Sequence, residues 1–347
     1  MTGESIDSKS SLQATIDAVK ERQASLVVDF NTPLSEFDTT QSLRGRTLLC
    51  TGGSSGFGAA FVTAFAKSAE DTAVILADVN VEKGIALQDA LKADGCAVIF
   101  IRTDVTDWQS QVNLFQAALA WLSEVSPGRC LDHVICSAGL ASGIIDIEPS
   151  PPTELDHKNL QPKPPSVNCI AASLIGSLYT AQLALKYGMG LHAVHDTALA
   201  DKSLLFLGSQ ASYAGIALQS DYTASKWGVR GLFRSFLNDE TSASCKVRIN
   251  MLAPFFTVTP LIPAAMVVYL KSRGIKFARI EDVEAAAMRI LVDKRIHGRA
   301  VSVDVSGSYD LRDDWSGAFG ATVLEGGIVQ GKLPIPLAQV SQPRSRN

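Results

Sequence analysis

The sequence predicts an α/β fold, one doubly wound domain whose seven-stranded parallel sheet carries helices on both faces. Two observations predict it. Short apolar runs alternate with longer helical segments along most of the 347 residues, the pattern of a parallel sheet buried on both sides. The first run also ends in a glycine-rich turn that opens the first helix, the strand–turn–helix start of such sheets.

The runs come in order. Residues 47–50 (TLLC) form the first, followed by the glycine turn and an apolar-periodic segment at 59–69. Further runs fall at 73–77, 97–101, 133–136, 203–207, 247–251 and 300–305. Helical segments at 82–94, 108–124, 167–187, 222–240 and 280–291 separate them. Each run is of strand length and each intervening segment of helix length. Residues 1–45 read as an N-terminal extension with a short helix at 15–24, residues 46–310 as the domain, and 311–347 as a C-terminal tail. The stretch 148–166 holds six prolines and no periodicity, so it reads as a surface loop.

Composition excludes several classes. Thirty-one Lys and Arg against thirty-five Asp and Glu give a net charge of −4, with no basic excess to neutralise phosphates, so nucleic acid is not an expected partner. No apolar run reaches the ~18 residues of a membrane span. The N-terminus lacks the charged-then-apolar order of a signal peptide. Cys50, Cys96, Cys130, Cys136, Cys169 and Cys245 form no C-x-x-C pair, so no metal site is expected and the cysteines read as reduced core residues. These features together predict a cytoplasmic protein.

Gly52, Ser54, Ser55, Gly56, Phe57 and Gly58 lie in the turn that opens the first helix. Glycines allow a backbone to approach a ligand closely, and a helix N-terminus offers free N–H groups to a pyrophosphate. Gly52 to Gly56 also satisfies G-x-S-x-G, which would make Ser54 a hydrolase nucleophile. That reading needs a later acid and histidine, and His133, His157, His192, His195 and His297 offer no obvious candidate. Asp78 ends the second run, 20 residues after Gly58. A carboxylate there accepts from ribose hydroxyls and repels a 2′-phosphate. No Lys or Arg lies in the turn and residues 79–80 are uncharged, so NAD is expected over NADP.

Tyr222 and Lys226 are four apart and share a helix face. An ammonium beside a phenol favours the phenolate, which can then trade a proton with an alcohol or carbonyl oxygen. Ser209, 13 residues earlier and just after a strand, can hold the same oxygen.

In this order and context the motifs resemble the short-chain dehydrogenase/reductase family over about residues 46–308. T-G-G-S-S-G-F-G is similar to the family's T-G-x-x-x-G-x-G turn. The resemblance implies a Rossmann-type domain, an adenine contact from Asp104 and Val105, and a proton relay of Ser209, Tyr222, Lys226 and Asn168, the last holding a water. Lys226 would also bind the nicotinamide ribose. Cys136, Ser137, Ala138 and Gly139 stand where the family has N-N-A-G, so both asparagines are replaced. Pro254 and Phe255 replace a usual Pro-Gly, followed by Phe256, Thr257 and Thr259 near the carboxamide and phosphates. The subtype is similar to NAD-dependent members related to hydroxyprostaglandin dehydrogenase and to fungal secondary-metabolite alcohol dehydrogenases.

The expected reaction is interconversion of a secondary alcohol and a ketone on a lipophilic small molecule. Ser209, Tyr213, Phe255, Phe256 and the stretches 141–147 and 261–270 are the expected substrate walls. An NADPH-dependent ketoreductase, a cyclase or isomerase on the same fold, and a sensor without turnover are the alternatives. The resemblance also implies a homodimer or homotetramer through the helices at 167–187 and 222–240, whose small residues Ala171, Ala172, Gly176, Ala224 and Gly228 suit close packing.

Overall fold

In the computed structural model the described residues are 28–141, 165–189, 201–217, 219–237 and 247–311. The helix expected at 15–24, the pocket stretch 142–147, most of the proline-rich loop, Cys245 and the tail beyond 311 lie outside them.

All seven apolar runs form strands: β1 (Thr47–Thr51), β2 (Ala73–Asp78), β3 (Ala97–Arg102), β4 (His133–Cys136), β5 (Ser203–Leu207), β6 (Arg248–Pro254) and β7 (Ala300–Asp304). They lie parallel in the order β3-β2-β1-β4-β5-β6-β7. The sheet has an eighth strand, however, and it is not parallel. β8 (Gly307–Asp310) folds back on β7 as an antiparallel edge. Its sequence, Gly-Ser-Tyr-Asp, contains no apolar run because an edge strand is only half covered. The turn before it is held by Asp304, whose carboxylate accepts from the Ser306 N–H at 2.7 Å.

Successive side chains of each strand point to opposite faces and build two cores. On one face Leu49, Ile75 and Val134 pack with helices α4 (Trp108–Val125), α5 (Gly176–Leu183) and α6 (Ser220–Leu237). On the other, Leu48, Val74 and Ile135 pack with α2 (Gly56–Ala66), α3 (Val81–Ala93) and α8 (Ile280–Val292). Helix α7 (Ala264–Ser272) covers a smaller apolar cluster of Phe255, Leu270 and Ile275. Two single π-helical turns flank α5, at Ile170–Ile175 and Ala184–Gly188. The small residues of these helices serve contacts within the chain. A Cβ on Gly176 would lie 2.8 Å from Val105, and one on Gly228 would lie 2.6 Å from Leu174.

The described part of the N-terminal segment packs on the domain. Phe30 and Leu43, the latter in helix α1 (Thr39–Leu43), are buried in the α8-side core, and the Arg289 guanidinium sits 3.5 Å over the Phe37 ring.

Arg248 ties the lower end of the sheet together. Buried at the start of β6, it donates to the carbonyls of Ile290 at 2.6 Å, Leu291 at 2.7 Å and Ile296 at 3.0 Å, at and beyond the last turn of α8. It also pairs with the buried Asp201 carboxylate at 3.0 Å. Removing a buried ion-pair partner strands the other charge and costs about 3–5 kcal/mol. Arg248→Met should therefore lower the unfolding free energy by that amount, read as a drop in denaturant midpoint; an unchanged midpoint would show that the cluster adds nothing.

Candidate active site

The site forms above the carboxyl ends of β1, β4, β5 and β6, where the strand order reverses between β1 and β4 and a crevice must open. Gly52 makes the crevice floor. Its φ is +67°, a region that favours glycine, and a Cβ there would lie 2.6 Å from the Ala138 Cα. The β1 turn and the β4 end therefore meet backbone to backbone, joined by the Ala138 N–H to Thr51 Oγ1 bond at 3.4 Å. Gly56, also at positive φ, leads into α2 and faces Thr259, 3.4 Å from where its Cβ would be. Ser55 precedes α2 with no side-chain cap, which leaves first-turn N–H groups for an anion. Phe57 turns away and stacks on Phe61, with ring centroids 6.3 Å apart.

Asp78 sits beside this turn. Its carboxylate accepts from the N–H groups of Ser54 at 3.0 Å and Asn80 at 2.9 Å. The cap of α3 is Asn80, which accepts from Lys83 N–H, so Asp78 is not spent as a helix cap. The sheet register brings one residue that sequence neighbours do not reveal. Arg102 pairs with Asp78 across β2 and β3, so a cation stands on the strand next to the expected ribose ligand after all.

Asp104 and Val105 lie just beyond β3. The Thr106 hydroxyl and N–H bonds hold the Asp104 carboxyl below its usual range, helped by Arg102. The Val105 carbonyl accepts from the buried Gln111 side chain at 2.7 Å, and Thr180 donates to that same side chain at 2.7 Å. A cleft of about 380 Å³ opens here, lined in part by Arg102, Asp104, Asp107 and Asn113. None of its lining residues belongs to the tyrosine cluster.

That cluster is assembled from β5 and α6. Ser209, two residues past β5, is buried and hydrogen-bonded to Tyr222. Tyr222 and Lys226 occupy successive turns of α6, with Nζ 5.7 Å from the ring centroid. Lys226 is buried and donates to the Leu207 carbonyl at 2.9 Å. Burial draws its pKa down to about 8. Burial also raises the Tyr222 phenol above its ordinary value, opposed by the Ser209 bond. The spacing predicts a phenol lowered by its lysine; in the folded chain desolvation outweighs that effect.

Asn168 does not join the cluster. It lies in an exposed turn at the start of its helix, its N–H bonded to Ser166 Oγ at 3.3 Å. One and a half turns later the fully buried Ser173 faces Gly139 and accepts from the Leu140 N–H at 3.4 Å. Nothing in the sequence marks Ser173, because a serine in an apolar helix reads as filler.

The expected substrate walls divide. Tyr213 is buried in the main core with the Arg230 guanidinium 4.3 Å over its ring, so that face is taken. Phe255 replaces a glycine without breaking the sheet, since its N–H continues the ladder to the Val303 carbonyl at 2.8 Å. Its ring joins Phe256, 5.1 Å away edge to face, under α7. Pro254 closes β6, and Thr257 is buried with its hydroxyl on the Phe255 carbonyl. Val258, Leu261, Val268 and Tyr269 leave apolar surface exposed around α7.

Among the described residues no acidic, histidine or cysteine cluster could hold a metal, and no helix is long and apolar enough to cross a membrane. The glycine cradle, the uncapped α2 and Asp78 fit a dinucleotide.

Comparison with known proteins agrees with this geometry. The family model described as short chain dehydrogenase matches residues 46–265. A 5′-hydroxyaverantin dehydrogenase of Dothistroma septosporum is 37% identical over 79% of this chain and 90% of its own length. An NADP-dependent dehydrogenase, M3, of a Phoma species is 33% identical over 78% of this chain and 80% of its own. The crystal structure of gox2181 superimposes with a TM-score of 0.56 at 21% identity, covering 73% of this chain and 92% of that one, a likeness of fold. The chain belongs to the short-chain dehydrogenase family, as an NAD(P)-dependent oxidoreductase acting on CH–OH groups.

Proposed function

We propose that the chain uses NAD to interconvert a secondary alcohol and a ketone on a lipophilic secondary metabolite. The observation that carries the chemistry is the buried set of Ser209, Tyr222 and Lys226 beside the glycine turn. The bound dinucleotide supplies the hydride-accepting carbon and a positive charge. Ser209 and Tyr222 hold the substrate oxygen between two hydroxyls. Tyr222 takes the hydroxyl proton as phenolate, a form that its buried setting disfavours until positive charge gathers nearby. Lys226 supplies such charge from within the fold, and its fixed bond to Leu207 holds it in place. The aromatic pair Phe255–Phe256 and the apolar surface of α7 suit a lipophilic substrate. 5′-Hydroxyaverantin, named for the relative, is the first compound to test. Exposed Tyr187, just before the end of the α5 segment, and Trp227 on α6 favour a homodimer or homotetramer built on these helices.

NADPH as the working cofactor is the second reading. It is favoured by Arg102 next to Asp78 and by the relative named NADP-dependent. Asp78 favours NAD because its carboxylate stands at the end of β2 against the glycine turn, where a ribose must pass.

Tyr222→Phe should lower turnover of 5′-hydroxyaverantin by about 10²–10⁴-fold while NADH affinity, read by fluorescence, changes little. A variant with full turnover would sink the tyrosine mechanism. Asp78→Ala should weaken NADH about tenfold, the worth of one or two hydrogen bonds to a carboxylate, and improve NADPH. If the parent protein binds NADPH more tightly than NADH, the cofactor assignment reverses.

A further inference from the structure

Lys226 is a buried cation with one acceptor. Its ammonium has three N–H donors, and among the described residues only the Leu207 carbonyl accepts from it, at 2.9 Å. The titratable groups that face it are Tyr222 on its own helix and Cys169 on the helix across from it, and no carboxylate among the described residues acts on it. A buried charge left so thinly bonded is costly.

Gly139 leaves space at this point. A Cβ there would lie 2.9 Å from Ser173 Oγ and 3.8 Å from Lys226 Nζ. The volume is empty of protein only because residue 139 has no side chain. Two polar groups converge on it, enough to hold a water. The Ser173 hydroxyl has capacity to spare, since Leu140 N–H is its single partner among the described residues, at the long distance of 3.4 Å. The Ser173 carbonyl is already satisfied by Ser177 Oγ at 2.6 Å, so the side chain rather than the backbone is the free acceptor. The π-helical turn Ile170–Ile175 that carries Ser173 is a rare local geometry that clusters at functional sites.

We propose that Ser173 is a positioning residue for Lys226, its hydroxyl accepting the ammonium's second hydrogen bond through one water seated against Gly139. This rests on the dehydrogenase reading only for its consequence, which is that the lysine stays charged beside Tyr222 during turnover. The exposed Asn168 cannot serve the same end from its place at the helix start.

The test follows Lys226 directly, by NMR of protein carrying carbon-13 lysine, with the resonance assigned through Lys226→Arg. In the parent protein the lysine should titrate near 8. Ser173→Ala removes the acceptor, so the charged form loses support and the titration should move down by about half to one unit. Gly139→Ala keeps Ser173 but fills the water position and should move it the same way, which covers the case in which Ser173→Ala fails to fold. A high-resolution crystal structure of the parent protein should show one ordered water within hydrogen-bond distance of both Ser173 Oγ and Lys226 Nζ. An unmoved titration in the folded variants, or a crystal structure without that water, overturns the proposal. The titration uses no substrate, so its outcome is independent of the proposed activity. A parent protein that oxidises no secondary alcohol defeats the dehydrogenase reading, whereas turnover with an unmoved lysine defeats only the role of Ser173.

Discussion

The close approach of Gly52 to Ala138 is the constraint on which the rest of the site depends. Strands β1 and β4 are neighbours in the sheet, but their chains leave its upper edge toward different helices. With a side chain at residue 52 the two exits would be forced apart, since a Cβ would sit 2.6 Å from Ala138. Once they touch, the start of α2, the Asp78 carboxylate and the 137–139 segment are fixed around one crevice. Asp78 tightens the turn further by bonding the Ser54 N–H. The replacement of both family asparagines by Cys136 and Ser137 is tolerated because this backbone contact, with Thr51 as a bridge, holds the β4 end without them.

A second constraint is electrostatic. The reacting half of the site buries a phenol and an amine together, and burial acts on them in opposite senses: the phenol holds its proton more tightly and the amine gives its proton up more readily. Left alone, the pair drifts toward its neutral forms. Proton exchange with an alcohol needs the charged ones. The Ser209 bond to Tyr222 and the Leu207 bond to Lys226 each push back. Chemistry in this site is thus conditional on charge brought into it, which suits an enzyme that acts only when its dinucleotide is in place.

What is legible in the sequence follows from periodicity and punctuation. Seven strands can be placed because buried parallel strands are continuous apolar runs. β8 is not legible, since an edge strand of Gly-Ser-Tyr-Asp has no such run and is defined by its pairing with β7. The serine, tyrosine and lysine can be found because their spacing along one helix and one strand end is local. The asparagine cannot be found this way. Asn168 has the right residue type, but the helix places it in an exposed first turn, and the buried position by Lys226 belongs to Ser173. Tyr213 misleads for a related reason: an aromatic near a motif reads as a pocket wall, and only the fold shows Arg230 stacked on it.

Arg102 illustrates the deeper limit, because cofactor choice depends on residues that are neighbours across strands. Along the chain Asp78 has no basic residue near it, and that silence argues for NAD. Across the sheet its register partner is an arginine. The two charges act oppositely on a phosphate at the ribose, and their balance depends on geometry. Asp78 is drawn in by two backbone N–H groups and is held against the glycine turn. Arg102 ends its strand exposed and lines the outer cleft by Asp104, whose carboxyl it helps keep ionised. A fixed carboxylate repels an adjacent phosphate at full strength, whereas an exposed guanidinium is screened by water and shared with a second acid. The weight of the arrangement falls on the carboxylate.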